Sequence, residues 1–306
     1  MRVAIIGGTG FVGSYLVDEL IEQGHEVSLL VREGSEHKVR SSDSIRVVPG
    51  SINSSTSICD ALAGCDAVIY CVGILREFPR QGITFESTQF DGVASTVDAA
   101  LATGVGRFVL MSANGVKIPG TRYQESKKRA EDLVIASGLK TTIFRPSVIF
   151  GDPRGRMEFA TQLFQDMVEK PIPAVEFFSG LDRSNGAIRM SPVHVKDVAN
   201  AFAASLSDAT TIGKIYCLGG PENLTWPEMI QRIAAATGRK KWLVPVPITA
   251  MKLAASLFGW LPFFPVTRDQ LSMLAEGNIA KPETIESLTG SAPLDFSPGH
   301  LDYLNG

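Results

Sequence analysis

Short runs of Val, Ile and Leu recur along the first half of the chain, separated by stretches with helical spacing. The apolar runs fall at 3–6, 27–31, 45–48, 67–72, 107–111 and 141–144, and the helical patterns at 11–23, 54–63, 83–103 and 122–137. Strands that are apolar nearly throughout, rather than alternately, are covered on both faces. Such strand–helix alternation predicts an α/β fold built on a doubly wound parallel sheet. After Gly151 the rhythm changes. Prolines gather at 153, 171, 173 and 192, and helical patterns at 155–169, 194–206, 225–237, 248–260 and 267–277 dominate. Thr225-Trp226-Pro227-Glu228 has the order of a helix start, with a capping hydroxyl, an early proline and an acid at the third position. The expected organisation is a dinucleotide-binding domain over 1–150 and a smaller, mainly helical C-terminal substrate or partner lobe over 151–306. Segments near 187–220, notably 194–206 and 214–218, are expected to return to the first domain.

The first apolar run feeds Gly7-Gly8-Thr9-Gly10-Phe11-Val12-Gly13, and the chain continues at once into a helical pattern. Strand, glycine turn and helix in that order suit a dinucleotide phosphate. The first glycine permits a tight turn, the second lets backbone approach the pyrophosphate, and the third lets helix and strand pack closely. Free amides and the dipole at the helix start favour the anion.

Composition narrows the function classes. The chain has 306 residues, 44% hydrophobic and 20% charged, with a formal charge of -3, an ordinary balance with no electrostatic bias towards nucleic acid. No basic, signal-like segment precedes the first strand, so the expected location is cytoplasmic. Cys59, Cys65, Cys71 and Cys217 show no metal-ligand spacing and read as reduced thiols; His25, His37 and His300 are scattered, so no metal site is expected.

The residue after the second strand selects between nucleotides, an acid for the 2′-OH of NAD or an arginine for the 2′-phosphate of NADP. Arg32 stands there, nineteen positions after Gly13, which favours NADP(H) over NAD(H). Glu33 is adjacent, and a one-residue shift in register offers a carboxylate instead.

Tyr123 and Lys127 lie four apart at the start of a predicted helix and therefore on one face. A nearby ammonium lowers the pKa of a phenol towards the range where it exchanges protons. Ser112, ending the fifth apolar run, completes a candidate catalytic set by orienting a substrate oxygen; a plain strand-terminating serine is the alternative.

These elements together resemble the short-chain dehydrogenase/reductase superfamily, in its extended or atypical branch. Val72-Gly73-Ile74-Leu75-Arg76-Glu77, Thr84-Phe85-Glu86, Arg145-Pro146-Ser147-Val148-Ile149-Phe150-Gly151 and Pro192-Val193-His194-Val195-Lys196-Asp197-Val198-Ala199 add to the likeness. They are similar to the NAD(P)H-binding group that includes the nucleotide-binding accessory subunit of respiratory complex I, near the NmrA-like proteins, over roughly residues 1–235. The resemblance implies a Rossmann-type fold with nucleotide contacts from Gly7, Thr9, Gly10, Phe11, Val12, Gly13, Arg32, Val72, Gly73, Tyr123 and Lys127. It also implies that the loop at Pro146, Ser147 and Val148 passes over the nicotinamide. Two function classes follow: an oxidoreductase moving hydride to or from a small organic substrate, or a non-catalytic NADPH-binding subunit, assembly factor or redox sensor. A nucleotide-sugar epimerase or dehydratase is a weaker third, because Ser112 lies only eleven residues before Tyr123 and Ser112-Ala113-Asn114-Gly115 replaces the usual motif.

Three further features lie outside that core. His194 and Asp197, three apart on a predicted helix, read as capping and packing groups rather than a dyad. Arg183 and Arg189 are candidates for gripping an anionic substrate or are solvated loop charges. The stretch 243–266 carries Phe258, Trp260, Phe263 and Phe264 with Lys252 as its single charge. Its fourteen residues between Pro247 and Pro262 fall short of the about 20 that span a bilayer. A buried helix of the small lobe is one reading, and a peripheral membrane or membrane-complex contact the other.

Overall fold

The structure, a computed structural model, describes residues 1–179, 186–258 and 268–305. Its strands, in chain order, are β1 (Arg2–Ile6), β2 (Glu26–Val31), β3 (Ile45–Pro49), β4 (Ala67–Tyr70), β5 (Arg107–Met111), β6 (Lys140–Pro146), β7 (Ile149–Phe150), β8 (Ala174–Phe178), β9 (Arg189–Met190), β10 (Val193–His194), β11 (Lys214–Leu218), β12 (Leu224–Thr225) and β13 (Leu243–Pro247). The helices are α1 (Phe11–Glu22), α2 (Ser55–Leu62), α3 (Gly92–Thr103), α4 (Arg122–Ala136), α5 (Phe159–Leu163), α6 (Val195–Ser207), α7 (Trp226–Ala236), α8 (Ile248–Phe258), α9 (Arg268–Glu276) and α10 (Glu283–Thr289).

The chain divides into two compact units. The first comprises Met1–Pro146, Lys196–Cys217 and Ser287–Gly290. Its seven-stranded sheet runs in the order β11-β6-β5-β4-β1-β2-β3. The pairings from β3 across to β6 are all parallel. Because β1 pairs with β2 on one side and β4 on the other, the direction of winding reverses beside β1. That switch point opens a crevice at the carboxyl ends of the strands, where open α/β sheets bind ligands. The central strands are apolar nearly throughout because helices cover both faces; Ile5, Ile6, Leu29, Tyr70, Phe108 and Phe144 are all fully buried. On the β6 side, the Phe144 ring lies 4.4 Å from that of Phe202 in α6.

The second unit comprises Ser147–Val195, Leu218–Glu286 and Ser291–Gly306. Its core gathers Phe150, Leu163, Phe177, Trp226, Ile230, Leu271 and Phe296. Three two-stranded pairings lace it: β7 with β10 and β8 with β13 in parallel, β9 with β12 antiparallel. The cap on α7 forms as the sequence requires, with the Thr225 amide donating to Glu228 Oε2 at 2.7 Å.

Several local expectations are corrected. The predicted helix 83–103 begins with π-type turns over Glu86–Asp91 before α3, and 155–169 divides into α5 and a π-type stretch over Phe164–Val168. His194 is not on the helix with Asp197: it ends β10, and its ring packs edge-on to Phe150 at 5.0 Å. Residues 243–247, the start of the apolar stretch 243–266, form β13, a strand not predicted from the sequence. Arg183, Trp260, Phe263 and Phe264 and the side chain of Phe258 lie outside what the structure describes. Among the described residues no helix is long and apolar enough to cross a membrane.

Candidate functional site

The glycine turn is built as the phosphate motif demands. Gly7 adopts φ +106°, closed to most side chains, and a Cβ there would sit 3.0 Å from the amide nitrogen of Val72. The loops after β1 and β4 therefore touch across the switch point. A Cβ on Gly13 would fall 2.1 Å from the Gly7 carbonyl oxygen, so only glycine lets α1 approach this closely. Gly10 caps α1 through its backbone alone, and no acid stands in the first turn. The first amides of a helix have no intrahelical acceptor, which leaves this end suited to an anion. Phe11 and Tyr15 meet edge to face at 6.0 Å and brace the first turn. Arg32 follows β2 directly, is exposed beside an exposed Glu33, and makes no ion pair with any described residue.

Ser112, Tyr123 and Lys127 come from β5 and α4. Helix α4 starts where it does because Thr121 and Gln124 form a capping box, with the Thr121 amide donating to Gln124 Oε1 at 2.8 Å. This sets Tyr123 in the first turn and Lys127 one turn later. Lys127 is buried, and its Nζ donates to the Met111 carbonyl at 2.9 Å. A Cβ on Gly73 would lie 3.6 Å from the same nitrogen, so the ammonium also borders the loop after β4. Ser112 is buried with an Oγ that has no hydrogen-bond partner among the described residues. A buried hydroxyl without a partner is costly, and this one, a residue beyond the carbonyl holding Lys127, is chemically able to hydrogen-bond a ligand oxygen.

The electrostatics correct one expectation. Burial pushes the Tyr123 phenol up to about 12, and no ammonium counteracts it. Burial lowers Lys127 to about 8, an effect that Cys71 and Glu131 oppose. Sharing a helix face was expected to make Lys127 lower Tyr123. The amine is instead engaged by the strand carbonyl of Met111.

Residues that sequence reasoning did not single out hold this cluster in shape. Gln89, fully buried within the π-type turns, donates from Nε2 to the Ile74 carbonyl at 2.9 Å and accepts from Ser126 Oγ at 2.8 Å. It thus ties the loop after β4 to the helix turn between Tyr123 and Lys127. Glu77 accepts from the Phe85 amide at 2.9 Å and pairs with Arg122 at 2.8 Å, while the Phe85 ring meets Tyr123 edge-on at 5.6 Å. Glu131 is fully buried and paired with Arg145 on β6. Cys71, buried just past β4, bonds the Ile6 carbonyl at 3.4 Å.

Pro146 ends β6 in the first unit, where its carbonyl accepts from the Asn114 amide. Ser147 and Val148 belong to the second unit. There Ser147 Oγ donates to the Asn278 carbonyl at 2.9 Å, and Val148 packs on the second core.

The glycine cradle, the helix start without a side-chain cap and the orphaned Ser112 hydroxyl fit a dinucleotide. The family model described as NAD(P)H-binding matches residues 7–172, more than half of the chain. The chain belongs to the NAD(P)H-binding family. Relatives and fold agree with an atypical short-chain dehydrogenase/reductase. The chain is 28% identical to a ceramide reductase from Caulobacter vibrioides, over 83% of this chain and 76% of that one. It is 26% identical to the mitochondrial 40 kDa subunit of NADH-ubiquinone oxidoreductase from Neurospora crassa, over 98% and 78%. Among solved structures, UDP-glucuronic acid 4-epimerase from Bacillus cereus superposes with a TM-score of 0.77 at 16% identity, covering 99% of both chains, a likeness of fold alone. As a family member this chain binds a pyridine nucleotide.

Proposed function

We propose that this protein is an NADP(H)-dependent oxidoreductase acting on a small organic substrate, with Tyr123 as proton donor and acceptor. The buried, unpartnered hydroxyl of Ser112 carries this reading. Held on the amides at the start of α1 and beside Val72 and Gly73, the reduced cofactor would supply a hydride to a substrate carbonyl carbon. The Ser112 Oγ hydroxyl would donate to the substrate oxygen and fix its direction. Tyr123 Oη would deliver a proton to that oxygen and recover one from solvent. Lys127, close to neutrality in pKa and fixed by Met111, would bias the phenol once charge develops on it. Arg32, exposed and free of ion pairs among the described residues, supports the choice of NADP(H), since its guanidinium can take a 2′-phosphate bidentately. Four unpaired cysteines fit a reducing, cytoplasmic compartment.

The test is to identify by mass the nucleotide retained on purification, then to follow NADPH oxidation against a panel of carbonyl substrates. Tyr123→Phe should cut turnover by about a hundredfold or more while NADPH affinity stays within a few-fold. Unchanged turnover in that variant rejects the catalytic role.

A second reading, a non-catalytic NADPH-binding subunit or assembly factor, draws support from the similarity to the 40 kDa complex I subunit and from the high pKa of Tyr123. Cofactor binding would then act by stabilising the fold through mass action. Tight nucleotide retention with no turnover on any substrate, and a melting temperature that rises with NADPH in both wild type and Tyr123→Phe, would favour it.

A further inference from the structure

We infer that the second unit carries a docking surface for an anionic phospholipid bilayer, centred on Trp242. This lies beyond the proposed reaction and does not rest on it. The other described tryptophan, Trp226, is buried at 6% exposure, whereas Trp242 is 82% exposed immediately before β13. Single exposed apolar residues are ordinary, but this one is not isolated. The parallel pairing of β8 with β13 brings the two lead-in segments together, with the Ala174 amide donating to the Trp242 carbonyl at 2.8 Å. Pro171, Ile172 (61% exposed) and Pro173 therefore lie along the same end of the ribbon as Trp242, and Val244 extends the apolar surface along β13.

The charge around this patch is mostly positive. Arg239, Lys240 and Lys241 precede Trp242 in sequence, and Lys170 precedes Pro171. They share one surface because Lys241 Nζ donates to the carbonyls of Val168 and Lys170, and Arg239 to that of Glu169 at 3.2 Å. Against these four cations stand Asp166, 3.6 Å from Lys170, and the exposed Glu169. Lys240 makes no ion pair among the described residues. An indole with apolar neighbours, ringed by cations, matches the layering of a bilayer surface: acyl boundary, then anionic headgroups. Trp prefers that boundary, and basic side chains extend to the phosphates. Each cation near an anionic leaflet strengthens partition about fivefold. A protein pocket for Trp242 would not call for the surrounding cations. The surface begins at 239, ahead of the apolar stretch 243–266.

The experiment is flotation of the full chain with vesicles of phosphatidylcholine alone and with a third of the lipid replaced by phosphatidylglycerol. Wild type should partition about tenfold or more in favour of the anionic vesicles, and that preference should fade at high salt. Lys170→Glu with Lys240→Glu should reduce anionic partition by more than about tenfold. Trp242→Ala should lower it about tenfold, whereas Trp242→Phe retains most of it. These positions are exposed, so melting temperatures close to wild type should confirm intact folding. Three results overturn the proposal: no flotation with either vesicle, flotation that all these variants leave unchanged, or concentration-dependent dimerisation that Trp242→Ala abolishes in the absence of lipid binding.

Discussion

The Lys127 amine is anchored to the Met111 carbonyl at 2.9 Å, so the buried ammonium is held by the last residue of β5, immediately before the unpartnered Ser112 hydroxyl. One strand end thus fixes the cation and presents the hydroxyl. The network is stiffened from behind by Glu131, buried in the next turn of α4 and paired with Arg145.

Lys127 makes stability pH-dependent. Its pKa falls from 10.5 when unfolded to about 8 in the fold. Between those values the unfolded chain binds more protons, so Lys127 favours folding increasingly as pH rises from 8 to 10.5, and this contribution disappears as pH falls through 8. Wild type compared with Lys127→Met should therefore gain relative stability by about 3 kcal/mol from pH 7 to pH 10.5. Denaturant titrations at both ends of that interval measure the change; a constant difference contradicts the assigned burial of charge.

Ser112→Ala should be neutral to stabilising by about 1 kcal/mol, because it removes a buried hydroxyl that has no partner in the fold. The same substitution should lower turnover at least tenfold, since the substrate oxygen loses its donor. Thermal melts and substrate kinetics on one preparation test both halves. Clear destabilisation would mean that the hydroxyl has a structural partner.

Gly13→Ala should abolish nucleotide binding. The added methyl would stand 2.1 Å from the Gly7 oxygen and 2.7 Å from the Gly8 Cα, backbone atoms that cannot move without opening the turn. The expected cost is about 2 kcal/mol or more in stability, with no heat of NADPH binding by calorimetry. Measurable affinity in a folded variant would remove α1 from the phosphate site.

Arg32→Ala should weaken NADPH by about tenfold or more while leaving NADH nearly unchanged, the loss of a charged pair to the 2′-phosphate. Paired titrations with the two cofactors check it. Equal losses would transfer the selectivity to Glu33 or elsewhere.

Much of the first unit was legible in the sequence because its signals are local. The apolar runs at 3–6, 27–31 and 107–111 become β1, β2 and β5 with little change in boundary, and Gly7, Gly10 and Gly13 imply their own geometry. Tyr123 and Lys127 could be placed on one helix face by spacing, but which group would hold the amine depends on a strand sixteen residues away. The raised pKa of Tyr123 follows from its burial in the fold, which the local spacing does not show. Gln89 was hidden for a related reason: its partners, Ile74 and Ser126, are distant in sequence, and the π-type turns that present it lack a periodic signal. The two-residue strands β7, β9, β10 and β12 are too short for any alternation to show, and Pro245 and Pro247 disguise β13.

The place of β11 in the first sheet has a consequence for biosynthesis. This strand flanks β6, yet it leaves the ribosome about seventy residues later, after the β7–β10 region. Until then the Arg107 guanidinium lacks two acceptors, the Ser205 carbonyl and Thr211 Oγ1, and Phe144 lacks Phe202. A nascent chain stalled near residue 146 would expose an unsealed β6 margin and the apolar face that Phe202 covers in the fold, a natural substrate for chaperones. Halving the gene at that boundary should therefore yield insoluble product rather than an autonomous nucleotide-binding module.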